Sequence, residues 1–216
     1  MNLLIFGATG TTGQHLVRLA LSQGHQVTAF VRDPGRLIDT SSSLAYVIGD
    51  VMQLPSLESA LRGQDAVLCA LGTMPESKAD RPRRQPSIPV CSVGTQNILQ
   101  AMSNNNCRRI VAETSTSVGE SRYTSSLGAA AIIRTILKDV MEDKERQETA
   151  IRASNTDWTI VRPVRLTNGA AQNKIQVGEK LPWSMLSTIS RADVAAFMIA
   201  ALSDPLTSYK ALTIKS

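Results

Sequence analysis

The sequence predicts one α/β domain of the Rossmann type, a doubly wound parallel sheet covered by helices on both faces. Apolar runs alternate with helix-patterned segments along the chain, which is the pattern of parallel strands joined by helical crossovers. The first run ends in a glycine-rich turn that opens a helix. The chain has 216 residues, of which 43% are hydrophobic, and this is enough for a single domain with a substantial core.

The apolar runs and the helix-patterned segments predict the position of each strand and helix. We expect strands near residues 2–6, 26–31, 44–48, 66–70, 108–112 and 157–162, with a short last strand near 211–214. Helices are expected over roughly 11–23, 56–62, 89–104, 127–153 and 191–203, and the stretch from about 166 to 190 is expected to be irregular. Ligands of open α/β sheets bind at the carboxyl edge of the strands. The single domain, 1–216, is therefore expected to carry its substrate loops near 73–89, 115–127 and 165–190.

Composition excludes several classes of function. No apolar run reaches the ~18 residues of a membrane span, and the first strand begins so early that we expect no signal peptide. Three cysteines without metal spacing, Cys69, Cys91 and Cys107, indicate a reducing cytoplasm. The only histidines are His15 and His25, so no metal site is expected. The net charge of +5 suits an anionic cofactor and is too dispersed to indicate nucleic-acid binding.

The glycine-rich turn is the most informative motif. It reads Gly7-Ala8-Thr9-Gly10-Thr11-Thr12-Gly13. Glycines let a phosphate approach the backbone closely, and the N–H groups and positive dipole end of the following helix face the anion. We therefore expect a pyrophosphate cradle made by Gly7, Thr9, Gly10, Thr11, Thr12 and Gly13. The alternative is an ordinary tight turn between a strand and a helix.

The end of the second strand indicates which dinucleotide is bound. Arg32 directly follows the run QVTAFV, and Arg36 lies four residues further on. An acidic residue at this position would suit NAD, whereas arginine suits the 2′-phosphate of NADP, because guanidinium groups match phosphate oxygens bidentately. The sequence therefore predicts NADP. The alternative is a pair of solvated loop arginines, one of them neutralised by Asp33.

The third and fourth strands end in further candidates. Asp50 is placed to accept from the adenine amino group, with Val51 packed on the ring, although Asp50 could equally cap the next helix. The fourth strand ends in Leu71-Gly72-Thr73, where glycine lets the nicotinamide-side ribose and phosphate pass close to the backbone. The basic segment 81–86 follows. It either gates the pocket and attracts acidic substrates, or is a solvated loop.

The long predicted helix carries charged residues on its apolar stripe. Ile133, Ile136, Leu137, Val140 and Ile151 form the stripe at helical spacing. Lys144 and Glu148 fall on the same face, where an ammonium is costly unless it is paired or contacts a ligand. We expect Lys144 to contact the nicotinamide ribose and Glu148 to orient it. The alternative is a snorkelling lysine with an ordinary ion pair one turn apart.

Two segments are expected on the substrate side of the nicotinamide. Thr114 and Ser115 follow the fifth strand, and Ser115 is placed to hydrogen-bond the carboxamide or the acceptor; loop or helix-capping chemistry is the alternative. After the sixth strand, Pro163 and Val164 are expected to shape the nicotinamide pocket, with Arg165 facing the substrate.

The motif Tyr-x-x-x-Lys is missing. Ordinary short-chain dehydrogenases use it to protonate a carbonyl oxygen, but none of the three tyrosines, Tyr46, Tyr123 and Tyr209, is followed by lysine at the fourth position. The predicted acceptor is therefore one that needs little acid help, such as a flavin or a bilin tetrapyrrole, to which solvent delivers the proton.

Together these segments resemble a known family. GATGTTG, VTAFVRDPGRL, GDV, QDAVLCALGT, VAETS and DWTIVRP occur in this order, as in the biliverdin-IXβ reductase/flavin reductase family of atypical short-chain dehydrogenases, within the NmrA-like superfamily. DKERQE and ISRADVAAFM resemble its bacterial branch. The resemblance implies a monomeric NADPH enzyme that reduces FMN, FAD or bilins.

The resemblance also assigns roles to residues. It implies cofactor contacts at Thr9, Gly10, Thr12, Arg32, Arg36, Asp50 and Leu71, and an active-site serine at Ser115. The animal enzyme has a histidine after the proline, where this chain has Val164-Arg165. The role of that histidine does not carry over, and Arg165 is expected to hold a flavin phosphate or a bilin propionate instead.

The predicted function is a cytoplasmic NADPH-dependent reductase of a flavin or a bilin, without nucleic-acid or membrane partners. The main alternative is a redox sensor or assembly factor that binds NADP(H) without turnover. A large apolar surface away from the cofactor would favour that alternative. An epimerase or carbonyl reductase would require Tyr123 to reach the pocket.

Overall fold

The computed structural model describes residues 1–37, 39, 41–72, 89–126 and 128–216. In chain order the elements are β1 (Asn2–Phe6), α1 (Thr11–Ser22), β2 (Gln26–Val31), β3 (Leu44–Ile48), α2 (Leu54–Ala60), β4 (Ala66–Cys69), α3 (Val90–Asn104), β5 (Arg109–Glu113), α4 (Ala129–Ile136), α5 (Lys138–Arg152), β6 (Asp157–Pro163), β7 (Arg165–Thr167), β8 (Gln176–Gly178), β9 (Thr188–Ser190), α6 (Arg191–Ala201) and β10 (Lys210–Lys215). Single 3₁₀ turns lie at Pro34–Arg36, Gly119–Tyr123 and Pro205–Thr207.

The central sheet has the strand order β3-β2-β1-β4-β5-β6-β10-β8. Neighbouring strands run parallel from β3 to β10, and β8 joins the edge antiparallel to β10. The chain builds outward from β1 to β3 and then returns to place β4 on the other side of β1. This reversal between β1 and β4 is the point where open α/β sheets bind ligands. The predicted Rossmann-type fold is confirmed.

The central strands are buried on both faces, as expected for a parallel sheet covered by helices. All four residues of β4 and all five of β5 are buried. On one face, α1 packs against α6 through residues such as Leu16 and Met198. On the other face, α3 packs against α5, with Ile98 and Ile151 in the core. Within the described ranges, none of the helices combines the length and apolarity needed to cross a membrane.

Two expectations about elements are wrong. The helix expected over 127–153 is two helices, because Leu137 leaves the helical conformation (φ −117°, ψ 38°) between α4 and α5. The apolar stripe therefore does not continue across Leu137, and Ile136 is 69% exposed instead of buried. The stretch 166–190 is not irregular throughout, since it contributes β7, β8 and β9. These strands are only three residues long, too short for a visible period.

Asp193 ties an irregular segment to the start of α6. Its carboxylate accepts hydrogen bonds from the Ser190 hydroxyl at 2.7 Å and from the backbone N–H groups of Gln172 and Asn173 at 3.0 Å. The Ser190 hydroxyl in turn accepts from the Asp193 N–H, which caps the helix. Burial alone would raise the pKa of Asp193, but these hydrogen bonds hold it below its usual value of 3.8.

We expect Asp193→Asn to destabilise the protein at neutral pH by about 1–3 kcal/mol, the range for hydrogen bonds to a charged group. A lowered folded-state pKa contributes stability that is complete above the unfolded pKa of about 3.9 and is lost as pH falls through the folded value. The deficit of the variant should therefore shrink in acid. Thermal unfolding across pH measures it, with the exposed Asp139→Asn as control. A deficit independent of pH would contradict the assignment.

Candidate functional site

The glycine turn is closed against the end of β4. Gly7 has a φ of +75°, and a Cβ atom there would lie 2.3 Å from the carbonyl oxygen of Ala70. A Cβ atom on Gly13 would lie 1.9 Å from the carbonyl oxygen of Gly7. Only glycine satisfies both positions, because side chains rarely adopt the first conformation and backbone blocks the second. The turn is thus a tight loop that brings the start of α1 beside the reversal of strand order between β1 and β4.

The start of α1 suits an anion. Gly10 is the N-cap residue, it provides no side-chain cap, and the first turn holds no acidic residue. Thr12 and Gly13 are buried, whereas Thr11 is exposed and Thr9 is half-buried. The first N–H groups of a helix need a partner from outside the helix, and their dipole favours a negative one. These residues fit the diphosphate of a dinucleotide, as expected from the motif.

The arginines predicted to select NADP lie beyond the end of β2. Arg32 directly follows β2, and Arg36 ends the 3₁₀ turn; both side chains are exposed. Asp33 caps this turn, because its carboxylate accepts from the Gly35 N–H at 2.9 Å. The carboxylate of Asp33, which could otherwise neutralise one of the arginines, therefore binds the backbone of the turn.

Arg32→Asp should weaken NADPH binding by about 1–3 kcal/mol, the range for losing charge-assisted hydrogen bonds, and affect NADH much less. The reason is that the 2′-phosphate is the only charge that distinguishes the two cofactors. Titration of both cofactors followed by nicotinamide fluorescence measures the difference. Arg62→Asp, an equal charge change at an exposed residue before β4, is the control. Equal losses for NADPH and NADH would remove Arg32 as the selector.

The third strand is followed by Asp50 and Val51. The Asp50 carboxylate accepts from the Met52 N–H at 3.0 Å. The N-cap residue of α2 is Gln53, so Asp50 closes the turn before the helix and does not cap it. Val51 is buried in the core under α3. Adenine contacts by these two residues stay a prediction.

The end of β4 places Leu71 and Gly72 next to the glycine turn. Leu71 is buried and its carbonyl oxygen is hydrogen bonded. Gly72 is exposed, and a Cβ atom added to it would meet no described atom within 4 Å. Thr73 and the basic segment 81–86 lie outside the described residues.

A buried polar face of α5 joins the ends of three elements. The Asp143 carboxylate accepts from the backbone N–H groups of Cys91 and Ser92 at 2.9 and 3.0 Å, which caps α3 from a neighbouring helix. Lys144 Nζ donates to the carbonyl oxygens of Leu71 at 2.7 Å and Glu113 at 3.1 Å. Lys144 is buried, which excludes the snorkelling alternative. Its ammonium holds the carboxyl ends of β4 and β5 together.

The charge of Lys144 is maintained by its surroundings. Burial alone would lower the pKa of Lys144, but the acidic groups of Cys91, Glu113, Cys69 and Asp143 raise it above its usual value. Two of the three ammonium hydrogens are used by backbone carbonyls. The contact predicted between Lys144 and the nicotinamide ribose stays a prediction.

The role expected for Glu148 is wrong. Its carboxylate does not orient Lys144. It accepts two hydrogen bonds from Arg162, from Nε to Oε1 at 2.9 Å and from Nη2 to Oε2 at 2.5 Å. The Thr114 hydroxyl donates to Glu148 Oε1 at 2.7 Å, and Arg162 also reaches Glu120 at 2.8 Å. Arg162, at the end of β6, is fully buried. Its planar guanidinium matches the Glu148 carboxylate bidentately, which a lysine one turn away on the same helix cannot do.

The backbone beyond β5 decides which way Ser115 faces. The N–H groups of Thr114 and Thr116 donate to the carbonyl oxygens of Val161 and Pro163 at 2.8 and 3.2 Å, so the segment continues alongside β6 as an extended chain. Successive side chains of an extended segment point to opposite faces. Because the Thr114 hydroxyl contacts Glu148 on α5, Ser115 shares the opposite face with Glu113. Ser115 is half-buried there.

The residues after β6 separate into a buried pair and an exposed arginine. Pro163 is paired with Ile214 of β10, and Val164 is buried. Arg165 begins β7 and is exposed. A cavity of about 230 Å³ lies between the 3₁₀ turn 119–123 and α5. Ser115 and Arg165 do not line it, so it is separate from the predicted acceptor site.

Sequence reasoning missed Asp143, Glu113 and Arg162. Asp143 and Lys144 are adjacent, and Gln147 and Glu148 follow one turn later. This spacing marks a polar face that could have been found beside the apolar stripe. Nothing local to Glu113 or Arg162 distinguishes them from ordinary charged residues, because their partners are distant in the sequence.

Residues 7–205 match the model of the NAD(P)H-binding family. The chain belongs to this family. This confirms the expectation of an NAD(P)H-binding Rossmann protein, which rested on the glycine turn and the alternation of strands and helices.

Relatives and solved structures agree with this assignment. The chain is 29% identical to the uncharacterized chloroplastic protein At2g34460 of Arabidopsis thaliana, over 97% of this chain and 75% of that protein. It is 26% identical to the photosystem II assembly factor Ycf39 of Synechocystis, over 94% of this chain but only 58% of Ycf39. Its fold is similar to that of ChuY, an anaerobilin reductase from Escherichia coli O157:H7, with a TM-score of 0.81, 20% identity, and 99% and 96% of the two chains covered.

Proposed function

We propose that this chain is an NADPH-dependent reductase that transfers hydride to a planar conjugated acceptor, a flavin or a bilin. The observation that carries the proposal is the carboxyl edge of the sheet. There the uncapped start of α1 lies beside the Lys144-bridged ends of β4 and β5. The similarity of the fold to an anaerobilin reductase supports the choice of acceptor class.

Each group at this edge has a distinct role in the proposal. Bound NADPH supplies the hydride. The N–H groups at the start of α1 hold its diphosphate, and Arg32 and Arg36 hold the 2′-phosphate. Lys144 sets the spacing between the ends of β4 and β5 through its two carbonyl bonds. Ser115 hydrogen-bonds the carboxamide or the acceptor, and Arg165 holds an acidic group of the acceptor.

The proton is proposed to come from solvent. The chain has no Tyr-x-x-x-Lys motif, and Lys144 has two of its donors bound to carbonyl oxygens. A flavin or a bilin accepts hydride at an electron-poor atom of a conjugated system, and the negative charge spreads over that system until a proton arrives.

The test is oxidation of NADPH by the purified protein, followed by nicotinamide absorbance with FMN and then with a biliverdin isomer. Turnover with NADPH and either acceptor is expected, with NADH slower. Tight NADPH binding without oxidation by any flavin or bilin would contradict a reductase.

A second candidate is an NADP(H)-binding assembly factor without turnover. The exposed side of α4 favours it, because Ile132 and Ile136 lie one turn apart and are 47% and 69% exposed. Large contiguous apolar patches mark protein interaction surfaces, and this candidate requires Ile132 and Ile136 to be part of one. The relationship to Ycf39 is consistent with it. Binding without oxidation in the same experiment is the outcome that this candidate predicts.

A further inference from the structure

Glu113 is a buried carboxyl group that the proposed reaction does not use. It is the last residue of β5 and is 7% exposed. Its carboxylate lies against the first turn of α1, where the Thr12 hydroxyl donates to Oε1 at 3.4 Å. This turn is the one whose N–H groups fit the diphosphate. The carboxyl group and the proposed diphosphate therefore meet the same helix terminus.

The positive groups near Glu113 are bound elsewhere. Lys144 Nζ, from α5, donates to the main-chain oxygens of Leu71 and Glu113. Arg191, from the start of α6, donates to the Asn168 side chain at 2.6 Å. Among the described residues, the hydrogen bond from Thr12 is the only one to the Glu113 carboxylate. Neither cation forms a contact ion pair with it in the described part of the chain.

The balance of these groups makes Glu113 easier to protonate than an ordinary carboxyl group. Burial raises the pKa of Glu113, while Lys144, Thr12 and Arg191 act against the rise without cancelling it. A second negative charge near a buried carboxylate disfavours its ionised form further. A diphosphate diester is a stronger acid than a carboxylic acid, so the carboxyl group is the partner that changes its charge.

We propose that Glu113 takes up a proton when a dinucleotide binds at the start of α1. The inference rests on the diphosphate position in the proposed function and is independent of the acceptor. Two negative charges at one water-poor helix end repel each other, and protonation of Glu113 removes one of them. Cofactor affinity is thereby coupled to pH through a residue that is not part of the cradle.

The coupling has a defined sign. Between the pKa of Glu113 in the free protein and its higher pKa in the complex, binding of one cofactor molecule requires up to one proton, and affinity falls by up to about tenfold per pH unit. Below that pKa the proton is already present and affinity levels off. Glu113→Gln keeps the shape of the neutral acid, so its affinity should stay near the low-pH value of the wild type as pH rises.

Calorimetric titration with NADPH, in paired buffers of different ionisation enthalpy, counts the protons taken up. Between the pKa of Glu113 in the free protein and its higher pKa in the complex, the wild type should take up close to one more proton than Glu113→Gln. Titration of the 2′-phosphate contributes equally to both proteins and cancels in the comparison. Glu58→Gln, the same change on α2 where the carboxylate accepts from Asn104, should behave as the wild type.

A second measurement needs no variant. Infrared difference spectra of protein carrying ¹³C-labelled glutamate should show a protonated carboxyl band that grows when NADPH binds. Equal proton uptake by the wild type and Glu113→Gln, or absence of that band, would overturn the inference. Failure of the wild type to bind NADPH at any pH would instead overturn the proposed function. The folding control is the affinity of Glu113→Gln at low pH, which should equal that of the wild type if the variant is folded.

Discussion

Replacing Arg162 by methionine is expected to lower the free energy of unfolding by about 3–5 kcal/mol, the range for breaking a buried ion pair by removing one partner. The fully buried guanidinium makes two hydrogen bonds to Glu148. Methionine fills much of the volume but leaves the Glu148 carboxylate buried without its counter-charge. The cost is that of the stranded carboxylate more than that of the lost contact.

Urea unfolding measures the loss. Lys138→Met is the control, because Lys138 and Glu142 form an exposed pair at 4.0 Å that should contribute less than about 1 kcal/mol. Removing both charges, with Arg162→Met and Glu148→Leu together, should recover part of the loss, since no unpaired charge remains. A cost for Arg162→Met as small as that of the control would show that the pair does not support the fold.

Lys144→Met is expected to cost at least about 3 kcal/mol and to weaken NADPH binding at the same time. The ammonium donates to two buried carbonyl oxygens, of Leu71 and Glu113, and each would lose a charged donor worth about 1.5–3 kcal/mol. Methionine is similar in length but donates nothing. Because these carbonyls end β4 and β5, the edge that receives the cofactor should become less well ordered.

Two measurements separate the structural role of Lys144 from a ligand role. Urea unfolding without cofactor gives the structural cost. Unfolding with saturating NADPH gives the additional stabilisation by the cofactor, which should be smaller in Lys144→Met if the lysine also contacts the cofactor. Lys138→Met, the same change at an exposed residue of the same helix, should leave both values near those of the wild type. Wild-type stability of Lys144→Met would contradict the bridging role.

Residues 2–31 show how much of the site was predictable. A buried strand, a glycine turn, a helix and a second strand follow one another directly, and Arg32 comes next. Their positions were predicted within about one residue, because strand burial, glycine geometry and helix periodicity all act between residues that are close in the sequence. The same holds for the position of Ser115, which lies two residues after the end of β5.

The polar face of α5 was only partly predictable. That Lys144 lies on a face that should be buried follows from helical periodicity, and the structure agrees. Its partners do not follow from periodicity, since the carbonyl oxygens of Leu71 and Glu113 belong to residues 73 and 31 positions away. The assignment of Glu148 to Lys144 was wrong for the same reason. Glu148 binds Arg162, whose guanidinium offers two donors, and not Lys144, which lies one turn away on the same helix.

The fold class, the glycine turn at the switch point and the arginine at the end of β2 all follow from the sequence alone, because they depend on local backbone preference and on the spacing of apolar residues. Long-range contacts instead decide which carboxylate pairs with Arg162 and that Glu113 lies beneath the first turn of α1. Those outcomes require distant segments to meet. Where these segments meet, a buried charge is stable only beside a partner that compensates for its lost hydration.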